Sequence, residues 1–414
     1  MNKLFSLLFI GFLFSCQNNP DPDQSAQSKK LESSNFSDSL SGVLNELYEQ
    51  GNIIGFSVMV VDQEKAFYEK GFGYSDLRET QSYTVHTIQN IASISKTFLG
   101  IALMKAQEMG TLKLDDPVNE YLPFKVTNPY YPEQVITLRH LATHTSSILD
   151  SDYYDDKAYI LKDEPNESEE SLEMYVKFNL PTTHTSMFDY LENVLSVEGE
   201  WYEKKGFLKN KPGEAYNYSN VGATLAALVL EMATGMPYDR FTSKYILEPL
   251  KMSSTGWSFA SVDMLKHTWL YLDKETIIPY YSLITYPDGG LITSAHDLSK
   301  YLIELIKGYN GEGVLLNEKS YKEFFTKQLN PENFSELHGE NEGIFLSFTS
   351  NGFIGHSGGD PGVATHMYFN STTNIGIILF VNTELDNEGE EQFYSILNKT
   401  WEFGQRLNQK PVDK

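Results

Sequence analysis

Cysteine is almost absent: the chain of 414 residues has one, Cys16. That excludes an internal disulfide framework and a buried cysteine nucleophile. Positive charge is also scarce, with 32 Lys and Arg against 56 Asp and Glu and a formal net charge of −24. So acidic a chain is not built to hold nucleic acid or an anionic membrane surface as its main partner. No glycine-rich phosphate loop follows a strand, so nucleotide binding has no support, and no segment repeats at a fixed period. His140 and His144 are four apart in HLATH, but the stretch lacks the glutamate of H-E-x-x-H and a third ligand is not evident. Neither a metal nor another cofactor is expected.

What is present is a set of three short polar segments, each beside a strongly structured apolar one. The first is Ser93-Ile94-Ser95-Lys96, followed by FLGIALMKA over 98–106 and a stop at Gly110. The run is apolar on almost every side, which predicts a helix enclosed by the core. Residues three apart on a helix share a face, so Ser93 and Lys96 can meet. A serine hydroxyl needs a base to attack a carbonyl, and a lysine serves as one when burial loosens its proton. Ser93 falls at the helix N-terminus, where unpaired N–H groups face a developing negative charge. A capping serine with a solvated lysine is the plainer reading of this segment alone.

The second segment lies in KPGEAYNYSNVGATLAALVLEMATG. It reads as a Pro-Gly turn, an aromatic run, and a helix from near Asn220 to Gly235 with Pro237 behind it. Tyr218 and Asn220 therefore lead into a buried helix. They can share a proton with Lys96 and orient it, or serve only as a buried phenol and an asparagine cap. The third segment, GHSGGDPGVATHMYF, precedes NIGIILFVN. Residues 363–370 and 375–382 predict an antiparallel hairpin. His356-Ser357-Gly358 sits just before it on an edge-like, glycine-rich strand, where backbone N–H groups can approach a ligand. Gly359 is the candidate for a second oxyanion donor beside the Ser93 N–H.

In that order and spacing the segments resemble the class C β-lactamase and penicillin-binding-protein-related serine hydrolases. That branch carries Tyr-x-Asn in the middle and often His-x-Gly third. ITLRHLATHTSSI at 136–148, LEPLKMSSTGW at 247–257 and PDGGLITSAHDLSKYL at 287–302 resemble further blocks of it, and the resemblance runs over about 37–405. It implies Ser93 as the acylated nucleophile, Lys96 as proton acceptor or electrostatic activator, and Tyr218 as general base or acid. It implies Asn220 as a positioning residue, and His356, Ser357 and Gly358 as the opposite wall, with Gly359 and Ser93 N–H groups as the oxyanion hole. Two positions depart from the pattern: His356, mostly uncharged at neutral pH, stands where β-lactamases have Lys, and Ser147 stands where glycine is usual.

An N-terminal helix and hairpin, a central helical region, then C-terminal strands and a last helix near 388–405 imply an α+β fold in which both chain ends build one antiparallel sheet flanked by helices, with a mostly helical subdomain at about 115–285. The expected organisation is a lipoprotein signal peptide over 1–16, a polar tether over 17–36 and the hydrolase over 37–405. LFSLLFIGFLF is too short to span a bilayer comfortably. It ends in Leu13-Phe14-Ser15-Cys16, which resembles a bacterial lipobox, so a lipid on Cys16 would hold the protein at the cell envelope. Residues 150–205 hold about ten more acidic than basic side chains interleaved with aromatics. They form either a solvated cap with its rings packed inward or a lid that shapes the substrate pocket. The function expected is acyl-enzyme hydrolysis of an ester or amide, a small ester or D-amino-acid peptide before a β-lactam. The alternative is a catalytically silent envelope lipoprotein that binds peptidoglycan or a protein; its mark would be loss of Ser93, Lys96 or Tyr218, and none is lost.

Overall fold

The computed structural model describes residues 37–165, 172, 174–330, 334 and 340–407. The signal peptide, Cys16 and the tether expected over 1–36 lie outside the described residues. A helix α1 runs through 37–48 and leads into β1 (Gly55–Val61), whose sequence GFSVMVV is buried at every position. A strand covered on both faces reads as an unbroken apolar run rather than an alternation. The turn to β2 (Ala66–Asp76) is tied by the Asp62 carboxylate, which accepts the N–H groups of Glu64 and Lys65 at 2.7 and 2.9 Å. Short β3 (Gln81–Ser82) follows.

Strands β4 (Asn341–Glu342), β5 (Ser347–Phe348), β6 (Phe353–Asp360), β7 (Val363–Asn370) and β8 (Gly376–Val381) come from the other end of the chain. β8 lies antiparallel on β1, with Phe56 opposite Val381. Both ends of the chain thus build one eight-stranded antiparallel sheet, in the order β4-β5-β6-β7-β8-β1-β2-β3. Side chains of β8 alternate between two cores, as a period of two requires. Ile377, Leu379 and Val381 join Leu40 and Leu44 of α1 and Phe393, Ile396 and Leu397 of helix α5 (Asn387–Leu407) on one face. Ile378 and Phe380 join the larger core on the other, with helices α2 (Ser95–Glu108), α3 (Asn220–Thr234) and α4 (Ala295–Tyr309).

Among these helices α3 is buried from Val221 through Leu230 and ends on Gly235, whose φ of 65° is the left-handed stop that glycine adopts without strain. Between β3 and α4 the chain also forms a small ladder outside the main sheet, Tyr159–Leu161 against Tyr281–Leu283. It ties the acidic, aromatic stretch to the loop that carries Asp288. The starts of α2 and α3 and the free half of β6 converge where the sheet meets the helical part.

Candidate active site

A 3₁₀ turn, Ala92–Ile94, joins the strand Ile88–Asn90 to α2. Ala92 holds a φ of 47°, a left-handed conformation that costs a residue with a Cβ about 1–2 kcal/mol. Ser93 follows directly on this strained residue. Lys96, one turn on, is fully buried, and its Nζ lies 3.1 Å from Ser93 Oγ, 2.7 Å from Asn220 Oδ1 and 2.7 Å from the Asp288 carbonyl oxygen. Burial lowers its pKa, opposed by the charges of Asp288, Asp150 and Asp360. A neutral amine can satisfy both close acceptors with its two N–H groups. That leaves its lone pair for the Ser93 hydroxyl.

The cap of α3 is Ser219, not Asn220: the Ser219 hydroxyl accepts the Gly222 N–H at 2.9 Å. The Asn220 side chain is thereby free to receive Lys96. Asp150 fastens the same helix end, accepting from the Ser219 hydroxyl at 3.1 Å and from the Asn220 and Val221 N–H groups at 2.9 Å each. Tyr218, immediately before the cap, is half-buried; its hydroxyl is enclosed and completes no well-formed hydrogen bond. The hydroxyl it faces is that of Ser93, whose influence favours the phenolate, but burial is the larger effect and raises the pKa well above the usual tyrosine value. At neutral pH Tyr218 is a phenol, a proton donor. Lys96 Nζ stands 5.0 Å from the centre of its ring.

The same ring packs on His144, with centroids 4.3 Å apart. Nδ1 of His144 accepts the Ser219 N–H at 3.2 Å, and burial depresses its pKa so that it stays neutral. His140 does separate work, accepting the Thr137 N–H at the start of a short helix. Among the described residues no group of His, Cys, Asp and Glu is placed to hold a metal. Ser147, the residue in place of glycine, keeps the glycine-like backbone with a φ of 69°. Its hydroxyl accepts from Asn128 at 2.8 Å.

β6 forms the opposite wall. β5 reaches only as far as Gly355, so residues 356–360 have a free edge toward the site. Asp360 and Val363 close a two-residue hairpin through Pro361-Gly362; hydrogen-bonded and non-hydrogen-bonded pairs then alternate back along β6. The Gly359 N–H and the Ser357 C=O therefore point to the free edge. The Ser357 C=O is met there by His356 Nδ1 at 2.5 Å, which fixes the proton on that nitrogen. Burial, with Lys96 nearby, lowers the His356 pKa to about 4, so the ring is neutral. Gly358 packs against the nucleophile's turn: a Cβ there would sit 2.4 Å from Ile91 O and 2.9 Å from Ala92 Cβ. The structure does not bring the Ser357 side chain to this wall. Strand alternation turns it, exposed, to the other face, where it lines a hollow with His366, Tyr368 and Trp401.

Two buried carboxyl groups complete the surroundings, and both bind tyrosines of the acidic stretch. Tyr154 donates to Asp288 Oδ1 at 3.1 Å, and Tyr159 to Asp360 Oδ1 at 2.9 Å. Burial raises Asp288 to about 6 and Asp360 to about 7. The cap therefore packs Tyr154 and Tyr159 inward while leaving Tyr175 exposed, and it reaches the site through two hydroxyls. The sequence patterns did not single out Asp150, Asp288 or Asp360, and pointed to His144 only as a possible metal ligand. The signal that could have found Asp288 is an acid inside the apolar, glycine-flanked TYPDGGLI.

The family model described as Beta-lactamase matches residues 40–399. Protein flp of Staphylococcus aureus is 25% identical over 344 residues, 81% of this chain and 60% of that protein; the chain thus spans about three fifths of this relative's length. The octameric penicillin-binding protein homologue from Pyrococcus abyssi superposes with a TM-score of 0.64 at 24% identity, over 88% of this chain and 77% of that one. The D-amino acid amidase from Ochrobactrum anthropi SV3 superposes with a TM-score of 0.66 at 19% identity, over 91% and 100%. These last two likenesses are of fold.

Proposed function

Because the chain belongs to the beta-lactamase family, we propose that it is a serine hydrolase that forms an acyl-enzyme at Ser93 on an ester or amide, with a small ester or a D-amino-acid peptide preferred to a β-lactam. The observation that carries this reading is the buried Lys96 amine held 3.1 Å from Ser93 Oγ by two fixed acceptors. Neutral Lys96 takes the proton as Ser93 Oγ attacks the carbonyl carbon. The carbonyl π pair moves onto its oxygen, which the Ser93 and Gly359 N–H groups receive. Collapse of the adduct expels the leaving group, which takes a proton from the Tyr218 phenol; Lys96 restores it. Water then repeats the sequence on the acyl-enzyme.

The substrate preference rests on His356. A neutral imidazole offers no fixed cation to the carboxylate of a β-lactam. A fluorophosphonate should label the wild type and not Ser93→Ala, and equal labelling of the two removes Ser93 from its role. Among p-nitrophenyl esters, D-alanyl peptides and nitrocefin, efficient nitrocefin turnover overturns the preference. The Cys16 anchor belongs to the same proposal, supported by the sequence alone; loss of lipid labelling in Cys16→Ser tests it.

A further inference from the structure

Lys96 stands among more negative charge than one ammonium balances. The carboxyl groups of Asp288, Asp150 and Asp360 all act on it, Asp288 most strongly. They are held in different ways. Asp150 is committed to the start of α3 by three donors, and Asp360 belongs to the tip of β6, bound by Tyr159. Asp288 alone touches Lys96 directly, through its backbone carbonyl at 2.7 Å. Its side chain is buried behind the amine, the residue being 1% exposed. There Oδ1 accepts from Tyr154 at 3.1 Å, and Oδ2 lies 3.0 Å from the Thr224 hydroxyl. Thr224 is one turn beyond Asn220 on α3, and its hydroxyl is also 3.0 Å from the Asn220 carbonyl. One residue therefore fixes where the amine sits and what charge stands behind it.

We propose that Asp288 is the positioning residue of Lys96: its carbonyl holds the amine against Ser93, and its buried carboxylate is the countercharge that opposes loss of the Lys96 proton and so sets the pH above which the neutral base is available. The proposal rests on the serine hydrolase reading and adds the control of its base. The other titratable groups facing the pair are Asp150, Asp360, Tyr154, Tyr190, Tyr218, His144 and His356. All stay in place when Asp288 alone is changed. Removing a negative charge from beside an ammonium makes its proton easier to lose. The acid limb of Ser93 acylation then moves to lower pH in Asp288→Asn, by about one unit or more. Tyr154→Phe removes a donor that stabilises the Asp288 carboxylate, and moves the limb the same way by less.

The experiment titrates the lysine ¹³Cε resonances of the whole protein, with Lys96 assigned by its absence in Lys96→Arg, and measures fluorophosphonate inactivation against pH. Asp288→Asn and Tyr154→Phe should both lower the Lys96 midpoint. An unchanged midpoint with a uniformly lowered rate shows a merely structural residue and overturns the proposal. If Asp288→Asn does not fold, Tyr154→Phe decides alone, since its charge and volume change little. A wild type that no fluorophosphonate labels at any pH defeats the hydrolase reading, while the resonance titration still judges Asp288.

Discussion

The Lys96 amine and the Tyr218 hydroxyl are both enclosed and both hold transferable protons, yet their removal should differ in kind. The Lys96 amine satisfies Asn220 Oδ1 and the Asp288 carbonyl, so Lys96→Ala leaves two covered acceptors without a donor. Stability should fall by about 1–3 kcal/mol and acylation by about 10²–10⁴. The Tyr218 hydroxyl completes no hydrogen bond, and Tyr218→Phe removes a buried polar atom that nothing satisfies. Melting temperature should hold or rise while turnover falls by about 10² or more. Calorimetry beside fluorophosphonate kinetics checks both; a Tyr218→Phe variant that melts early and keeps its activity would make Tyr218 structural. The Ser93 and Lys96 pair was legible because helical spacing and an all-round apolar run act locally. Asp150 and Asp288 were not, because they reach Asn220 and Lys96 from separations of 70 and 192 residues. Nothing near an aspartate in the sequence tells which helix end it will meet.

At the scale of elements, β1, β2, the β7 and β8 hairpin and α3 follow from patterns that work over a few residues: a double-faced apolar run, a turn cluster, a glycine stop. The side of β6 that each residue takes follows from the same rule. A period of two puts His356 and Gly358 on one face and Ser357 on the other, so treating the tripeptide as one wall overlooked the pleat. The two glycines after Ser357 separate the roles of face and edge. A Cβ on Gly358 would lie 2.4 Å from Ile91 O and 2.6 Å from Thr365 Oγ1, whereas the nearest atom to a Cβ on Gly359 is 4.0 Å away. Gly358→Ala should push β6 off the nucleophile's turn, carrying the Gly359 N–H with it. Loss of one oxyanion donor costs about 10²–10³ in kcat. Gly359→Ala keeps its N–H and its space, and should stay within a few-fold of wild type. Steady-state rates on one ester compare them directly, and equal losses in the two would remove the steric argument for Gly358.

Across the whole molecule the charge excess of −24 and the carboxyl groups around Lys96 act in the same direction on an approaching substrate. Composition alone showed the excess; that Asp150, Asp288 and Asp360 gather behind the nucleophile is a property of the folded chain, made when the acidic cap closes on the sheet through Tyr154 and Tyr159. With His356 neutral, no charge on the β6 wall offsets them. A cationic ester should therefore reach Ser93 faster than a neutral isostere, and an anionic one more slowly. The steering gain is on the order of tenfold in kcat/KM at low salt. Raising ionic strength to about 1 M shrinks the Debye length to about 3 Å and should bring the three values together. Because steering acts on encounter, kcat should hardly move while KM carries the change. Identical salt dependence for the cationic, neutral and anionic esters would mean that the field of the chain does not reach the cleft, and the disfavour of β-lactams would then rest on His356 alone.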